Sequence, residues 1–166
     1  FDTDTLFIQP LSQLEKKISP TKTIMHSCEG PISNHVFWDS ILRSFDEIDN
    51  HLSIRFSRDS LMFNSGVMGM LPEHKSIMEN ALKLAREIYK IDPIFSVDQF
   101  ATGTALSNST TLTTVSDSVF HYWGWKRRFI HIALEKLRKN HTASDHKNRS
   151  AKEFLENLTD SPKIHY

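Results

Sequence analysis

An α/β layered domain is the fold class this sequence predicts, and three observations predict it. Short runs rich in apolar or β-branched residues, at Thr23–Cys28, Leu61–Phe63 and Thr110–Val115, have the length and composition of strands. Longer stretches carry apolar residues at helical spacing, most clearly Ile77, Ala81, Leu84, Ala85 and Ile88. The two patterns interleave along the chain without an internal repeat, as they do where helices cover a sheet. At 166 residues, 39% hydrophobic and 24% charged, the chain has enough apolar material for one core.

In order, Phe1–Ile8 is expected to open the chain as a strand. Side chains repeat every second residue there, which would put Asp2 and Asp4 on one side. Leu11, Leu14 and Ile18 mark a short helical turn that Pro20 stops, and Thr23–Cys28 is a strand ended by Glu29-Gly30-Pro31. Val36, Phe37, Ile41, Leu42, Phe45 and Ile48 give a helix from Asn34 to about Ile48, capped by Ser33 or Asn34. A polar loop follows to residue 60. Leu61–Phe63 and Val67–Leu71 look like one buried strand interrupted at Asn64-Ser65-Gly66. Pro72 and Glu73 suit the first turn of the next helix, which Asp92-Pro93 ends. Ser96-Val97-Asp98-Gln99 has the capping-box pattern and starts a helix to about Leu106. After the strand at 110–115 and the aromatic segment Val119–Trp125, a basic amphipathic helix is expected from Lys126 to about Lys139. From residue 141 the chain is a polar basic tail.

The net charge of zero conceals an asymmetry. Residues 1–125 carry ten Lys/Arg against fifteen Asp/Glu, and residues 126–166 carry ten against five. The basic section suits peripheral contact with an anionic membrane surface, or simply a solvated helix face, and no nucleic-acid partner is expected. One cysteine, Cys28, excludes an internal disulfide framework, and no apolar run approaches the ~20 residues of a membrane span. The chain begins inside a motif and without Met, so it is expected to be the C-terminal part of a longer protein.

Four stretches carry candidate chemistry. Asp2-Thr3-Asp4 places two carboxylates close together, a repulsion that a hard divalent cation such as Mn²⁺ or Mg²⁺ would relieve, although an isolated pair of this kind is more often a strand end facing water. Asn64-Ser65-Gly66 offers an amide beside a glycine that lets a ligand approach the backbone, although by itself it reads first as a β-bulge. Asp98-Gln99 is a good helix start with or without a function. His121-Tyr122-Trp123-Gly124-Trp125-Lys126-Arg127 supplies an imidazole and then cations suited to phosphates, although a lone histidine among aromatics is more often a core residue.

Taken in order, these stretches resemble the metal-dependent glycosyltransferases of the A type, and most of all the glycogenin and lipopolysaccharide-galactosyltransferase branch, over roughly residues 1–130. The resemblance implies a GT-A fold, a Rossmann-like mixed sheet, of which residues 1–140 are the C-terminal portion. The strands that bind the nucleotide would lie upstream. It implies Asp2, Asp4 and His121 as metal ligands. Asn64, Ser65, Gly66, Asp98 and Gln99 would contact the sugar, with Asp98 and Gln99 as the catalytic candidates. Gly124 and Lys126 or Arg127 would face the diphosphate. The donor implied is a nucleotide sugar of the UDP-sugar kind, the acceptor a glycan, lipid-linked group or protein, and the location cytoplasmic, peripheral to a membrane, or the Golgi lumen in a eukaryote. In that branch a lysine follows the glycine by three residues, in Lys-Pro-Trp. Here Lys126 follows by two, Arg127 by three, and no Pro-Trp comes after.

Two other readings compete. A haloacid-dehalogenase-type phosphatase also opens on Asp-x-Asp, but that motif normally continues into Gly-Thr or a similar pair, whereas Asp4 is followed by Thr5-Leu6, and no Gly-Asp-x-x-x-Asp cluster appears downstream. A non-catalytic carbohydrate-binding or scaffold domain would need none of the chemistry.

Overall fold

The computed structural model describes residues 1–2, 4–43, 48, 54–122, 124, 127–128, 130–132 and 134–135. The fold class is α/β, with parallel and antiparallel pairing. Strand β2 (Lys22–Met25) lies between β5 (Met68–Gly69), antiparallel to it, and β6 (Thr111–Thr114), parallel to it. Strand β3 (Cys28–Pro31) pairs antiparallel with β4 (Leu61–Phe63). Strand β1 (Thr5–Phe7) pairs antiparallel with β7 (Val119–His121), with Thr5 opposite His121.

The segment 61–71, expected as one interrupted strand, instead contributes two strands, β4 and β5, to two ladders. It nevertheless runs beside β2 and β3 throughout. The ladder passes from Met25 opposite Met68 to Cys28 opposite Phe63, with residues 26 and 27 on one side and residues 64–67 on the other. His26 N–H donates to the Asn64 carbonyl at 3.1 Å and Asn64 N–H to the Ser27 carbonyl at 2.8 Å, so pairing survives across the mismatch. Asn64-Ser65-Gly66 therefore lies in a bulge of four residues against two.

Two helices cover this framework. Helix α3 (Lys75–Ile91) buries Ala81, Leu84 and Ile88, the stripe expected from the sequence, and packs along α4 (Val97–Ser109). Helix α4 lies against β4, and Gly103 permits the approach: a Cβ there would come within 3.1 Å of the Phe63 ring. The main core joins Trp38, Ile41, Met62, Leu84, Ile88 and Phe100. A smaller one, around Leu14, Ile24, Val67, Val115 and Val119, anchors the bulge through Val67.

Several expectations are corrected. The first strand starts at Thr5, and Asp4 lies in a turn closed by the Thr5 hydroxyl, which donates to the Asp2 carbonyl at 2.7 Å. The helix expected from Asn34 is broken into two 3-10 turns, Ile32–Asn34 and Val36–Trp38, and a short α2 (Asp39–Arg43). Val36 and Phe37 are 74% and 80% exposed, and Trp38 takes the core position instead. Helix α1 (Leu11–Glu15) is one turn that buries only Leu14. Pro72 and Glu73 form a 3-10 turn (Pro72–His74) ahead of α3. There Leu71 N–H donates to His74 Nδ1 at 3.1 Å, and the His74 Nε2–H donates to the Pro20 carbonyl at 3.0 Å.

The capping box at the start of α4 does not form. Ser96 has φ +75° and makes no side-chain cap, which frees Gln99 for other partners. Residues 127, 128, 130–132, 134 and 135 are helical, as expected, while Phe45, Lys126 and the tail from 141 lie outside the described residues. Among the described residues no helix is long and apolar enough to cross a membrane.

Candidate metal centre

The turn before β1, the end of β7 and the bulge between β4 and β5 meet at one place. His121 is the last residue of β7 and its side chain is almost wholly buried. Tyr122 N–H donates to the Asp4 carbonyl at 3.0 Å, which continues the β1–β7 ladder by one residue and fixes Asp4 beside the imidazole. His121 Nε2 lies 3.1 Å from Asp4 Oδ1 and 3.8 Å from Asp2 Oδ2. Asp2 is held from behind, its N–H donating to the Gly66 carbonyl at 2.9 Å. One ligand atom from each of Asp2, Asp4 and His121 lies within 4.8 Å of the others. The turn, not the two-residue period of a strand, brings the two carboxylates together.

The tautomer of His121 follows from its neighbours. Asn64 Nδ2 donates to Glu29 Oε1 at 2.8 Å, and Gly66 N–H donates to Asn64 Oδ1 at 3.0 Å, so the amide can face only one way. Its Oδ1 therefore meets His121 Nδ1 at 2.9 Å as an acceptor, and the proton is on Nδ1. That leaves the Nε2 lone pair aimed at Asp4 Oδ1. Two electron-rich atoms at 3.1 Å repel, and a metal ion between them would turn that repulsion into shared coordination. A cation with bonds of about 2.1 Å puts neighbouring ligand atoms of an octahedral shell about 3.0 Å apart. The donor set, two carboxylates and a neutral imidazole whose other nitrogen is hydrogen-bonded, fits Mn²⁺ or Mg²⁺.

Gly66 is required here by space. A Cβ on it would stand 2.3 Å from the Cε1 and Nδ1 atoms of His121. The ring of His26 packs edge-on against that of His121, with centroids 5.3 Å apart. His26 Nε2–H donates to the Val119 carbonyl at 3.0 Å and its Nδ1 accepts from the Ser27 hydroxyl at 3.2 Å, an arrangement that suits the neutral ring. Burial holds the His26 pKa below the ordinary value, opposed by the Val119 hydrogen bond, then assisted by His121 and opposed by Glu29.

Most of the residues singled out in the sequence converge. Asp2, Asp4, Asn64, Gly66 and His121 form the group itself. Gln99 joins it indirectly: its Oε1 accepts from Ser65 N–H at 3.3 Å, and its Nε2 donates to Glu29 Oε2 at 2.9 Å. Asp98 is exposed in the first turn of α4 and makes no hydrogen bond or ion pair among the described residues. Gly124, at φ +71°, is exposed in the turn after β7, and Arg127 is exposed where the next helical residues begin, its N–H donating to the Gly124 carbonyl at 3.1 Å. Lys126 lies outside the described residues.

Glu29 and His26 are the residues that sequence reasoning missed. Both sit in the polar run that follows the buried part of β2, across the ladder from Asn64-Ser65-Gly66. Two polar runs at the same level of paired strands are a usable signal, once the pairing is known. No family model, curated protein or solved structure matches this chain.

Proposed function

We propose that this chain is part of the catalytic domain of a divalent-metal-dependent glycosyltransferase of the GT-A type. It would move a sugar from a nucleoside-diphosphate sugar to a glycan, lipid-linked or protein acceptor. The observation that carries the reading is the meeting of Asp2, Asp4 and His121, with Asn64 fixing the imidazole so that Nε2 faces the two carboxylates. The resemblance in the order of the motifs supplies the reaction class.

The roles follow from the chemistry of the transfer. Asp2, Asp4 and His121 hold the cation, which when bound supplies Lewis-acid stabilisation of the diphosphate leaving group. Gly66 keeps the bulge backbone low and leaves room for the ring behind it. Asn64, Ser65 and Gln99 form a wall of amides and a hydroxyl of the kind that orients sugar hydroxyls. Asp98 is the carboxylate assigned to the reacting face, as base or nucleophile, with Gln99 beside it in sequence. Lys126 or Arg127, next to Gly124, adds positive charge at the departing phosphates.

The test is a titration of Mn²⁺ and a nucleoside diphosphate into this chain and its Asp4→Ala and His121→Ala variants. Mn²⁺ at 100 times its dissociation constant adds about 2.7 kcal/mol to stability. At ~2–4 °C per kcal/mol this raises Tm by roughly 5–11 °C. Both variants should lose the shift, and with it any metal-dependent donor hydrolysis. A Tm indifferent to Mn²⁺ would refute the centre. Mn²⁺ binding that a nucleoside diphosphate tightens would favour a transferase over a cation-binding scaffold domain.

A further inference from the structure

Glu29 is exposed, yet both its carboxylate oxygens are occupied by protein amides. Oε1 accepts from Asn64 Nδ2 at 2.8 Å and Oε2 from Gln99 Nε2 at 2.9 Å, and Gln99 is itself tied back to Ser65 N–H. These bonds close a ring through the Asn64–Ser65 peptide. An exposed glutamate ordinarily keeps its rotamers and its water, so a carboxylate pinned at both oxygens points to a task. Asn64 and Gln99 both donate to Glu29, Ser65 N–H donates to Gln99, and the far end of the chain of bonds is the His121 imidazole.

We propose that Glu29 is a positioning residue that, through Asn64, selects the His121 tautomer whose Nε2 lone pair faces Asp2 and Asp4. The proposal deepens the metal-centre reading, and only its affinity arm rests on that reading. The argument compares two states of the neutral ring. With the proton on Nε2, the ring would donate to Asp4 Oδ1, now 3.1 Å away, and would block the cation. That state needs a donor facing Nδ1, so the Asn64 amide would have to turn over. Turning it would set Nδ2 against the Gly66 N–H, which now donates to Oδ1 at 3.0 Å, and would present Oδ1 to the Glu29 carboxylate. Glu29 and the Gly66 amide oppose the flip together. Without Glu29 the Gly66 N–H opposes it alone, against the attraction of Asp4 for an Nε2 proton.

The predicted state can be observed without activity or metal. In the ¹⁵N-labelled full chain, metal-free and at a pH where the rings are neutral, long-range ¹H–¹⁵N correlations report which nitrogen of His121 carries the proton. The wild-type ring should be protonated on Nδ1. In Glu29→Ala the Nε2-protonated form should appear, and Mn²⁺ affinity should fall by about 10- to 100-fold, the range for partners that orient a metal-ligating histidine. Glu29→Gln keeps an acceptor for Asn64 Nδ2 and gives up only the bond from Gln99, whose amide stays fixed by Ser65 N–H, so it should restore both readouts. An unchanged tautomer in folded Glu29→Ala, or a Glu29→Gln variant as defective as Glu29→Ala, overturns the proposal. If the wild-type chain takes up no Mn²⁺ but Glu29→Ala still switches the tautomer, the metal centre falls and the positioning role stands.

Discussion

Gly66→Ala is the sharpest test of the arrangement, because it adds one methyl group and removes no ligand. The new Cβ would stand 2.3 Å from two atoms of the His121 ring, whereas non-bonded carbons settle near 3.5 Å. The ring must therefore retreat by roughly 1 Å, or the bulge must lift by as much. Metal bonds tolerate only about 0.2 Å of error, so a retreat of this size removes Nε2 from a shell shared with Asp2 and Asp4. Partners that merely orient a ligand are worth about 10- to 100-fold in affinity, and a displaced ligand should cost at least the upper figure. Overpacking of about 1–3 kcal/mol should also lower Tm by roughly 2–12 °C in the metal-free protein. Isothermal titration with Mn²⁺ and a thermal melt in chelator measure the two effects separately. Gly124→Ala is the control. Its φ of +71° makes alanine cost about 1–2 kcal/mol, but a Cβ there meets nothing within 4 Å among the described residues, so Mn²⁺ affinity should not change. Wild-type Mn²⁺ affinity in Gly66→Ala would refute the placement of His121 against the bulge.

Other predictions follow from the same geometry. Because burial depresses the His26 pKa, the unfolded chain takes up a proton that the folded one resists as pH falls through the ordinary value of 6.5. Stability should drop across the window below 6.5 and be unaffected above it. Urea midpoints in chelator at about pH 7.5 and about pH 5.5 should differ more in the wild type than in His26→Asn, and equal differences would contradict this. Phe100 is fully buried, with its ring 4.8 Å from that of Trp38, so Phe100→Ala should cost about 3–5 kcal/mol by urea denaturation.

What the sequence disclosed depended on how local the signal was. The α3 stripe was legible because helical periodicity writes Ala81, Leu84 and Ile88 into the chain itself. The break before α2 was not. Val36 and Phe37 are as apolar as a core stripe, and only tertiary packing, with Trp38 inward, decides that they face water. The candidate ligands could be named because Asp-x-Asp and a histidine beside aromatics are rare enough to notice. The reason they meet is a turn and a bulge, neither of which has a period. Glu29 escaped for a related reason: its role depends on Asn64 and Gln99, 35 and 70 residues away, and nothing in Cys28-Glu29-Gly30 records those partners. Gln99 was noticed as a capping residue, and the left-handed backbone at Ser96 reassigns it.

The group around His121 joins residues that are far apart in the chain: Asp4 to His121 spans 117 positions and Asn64 to His121 spans 57. Closing such loops is slow and entropically costly, so these contacts should be among the last to form during folding. A cation held there would act as a clasp on the whole chain. Its removal should loosen the β1–β7 pair, the bulge and the first turn of α4 together, and amide hydrogen exchange in those three places should accelerate in concert when Mn²⁺ is chelated.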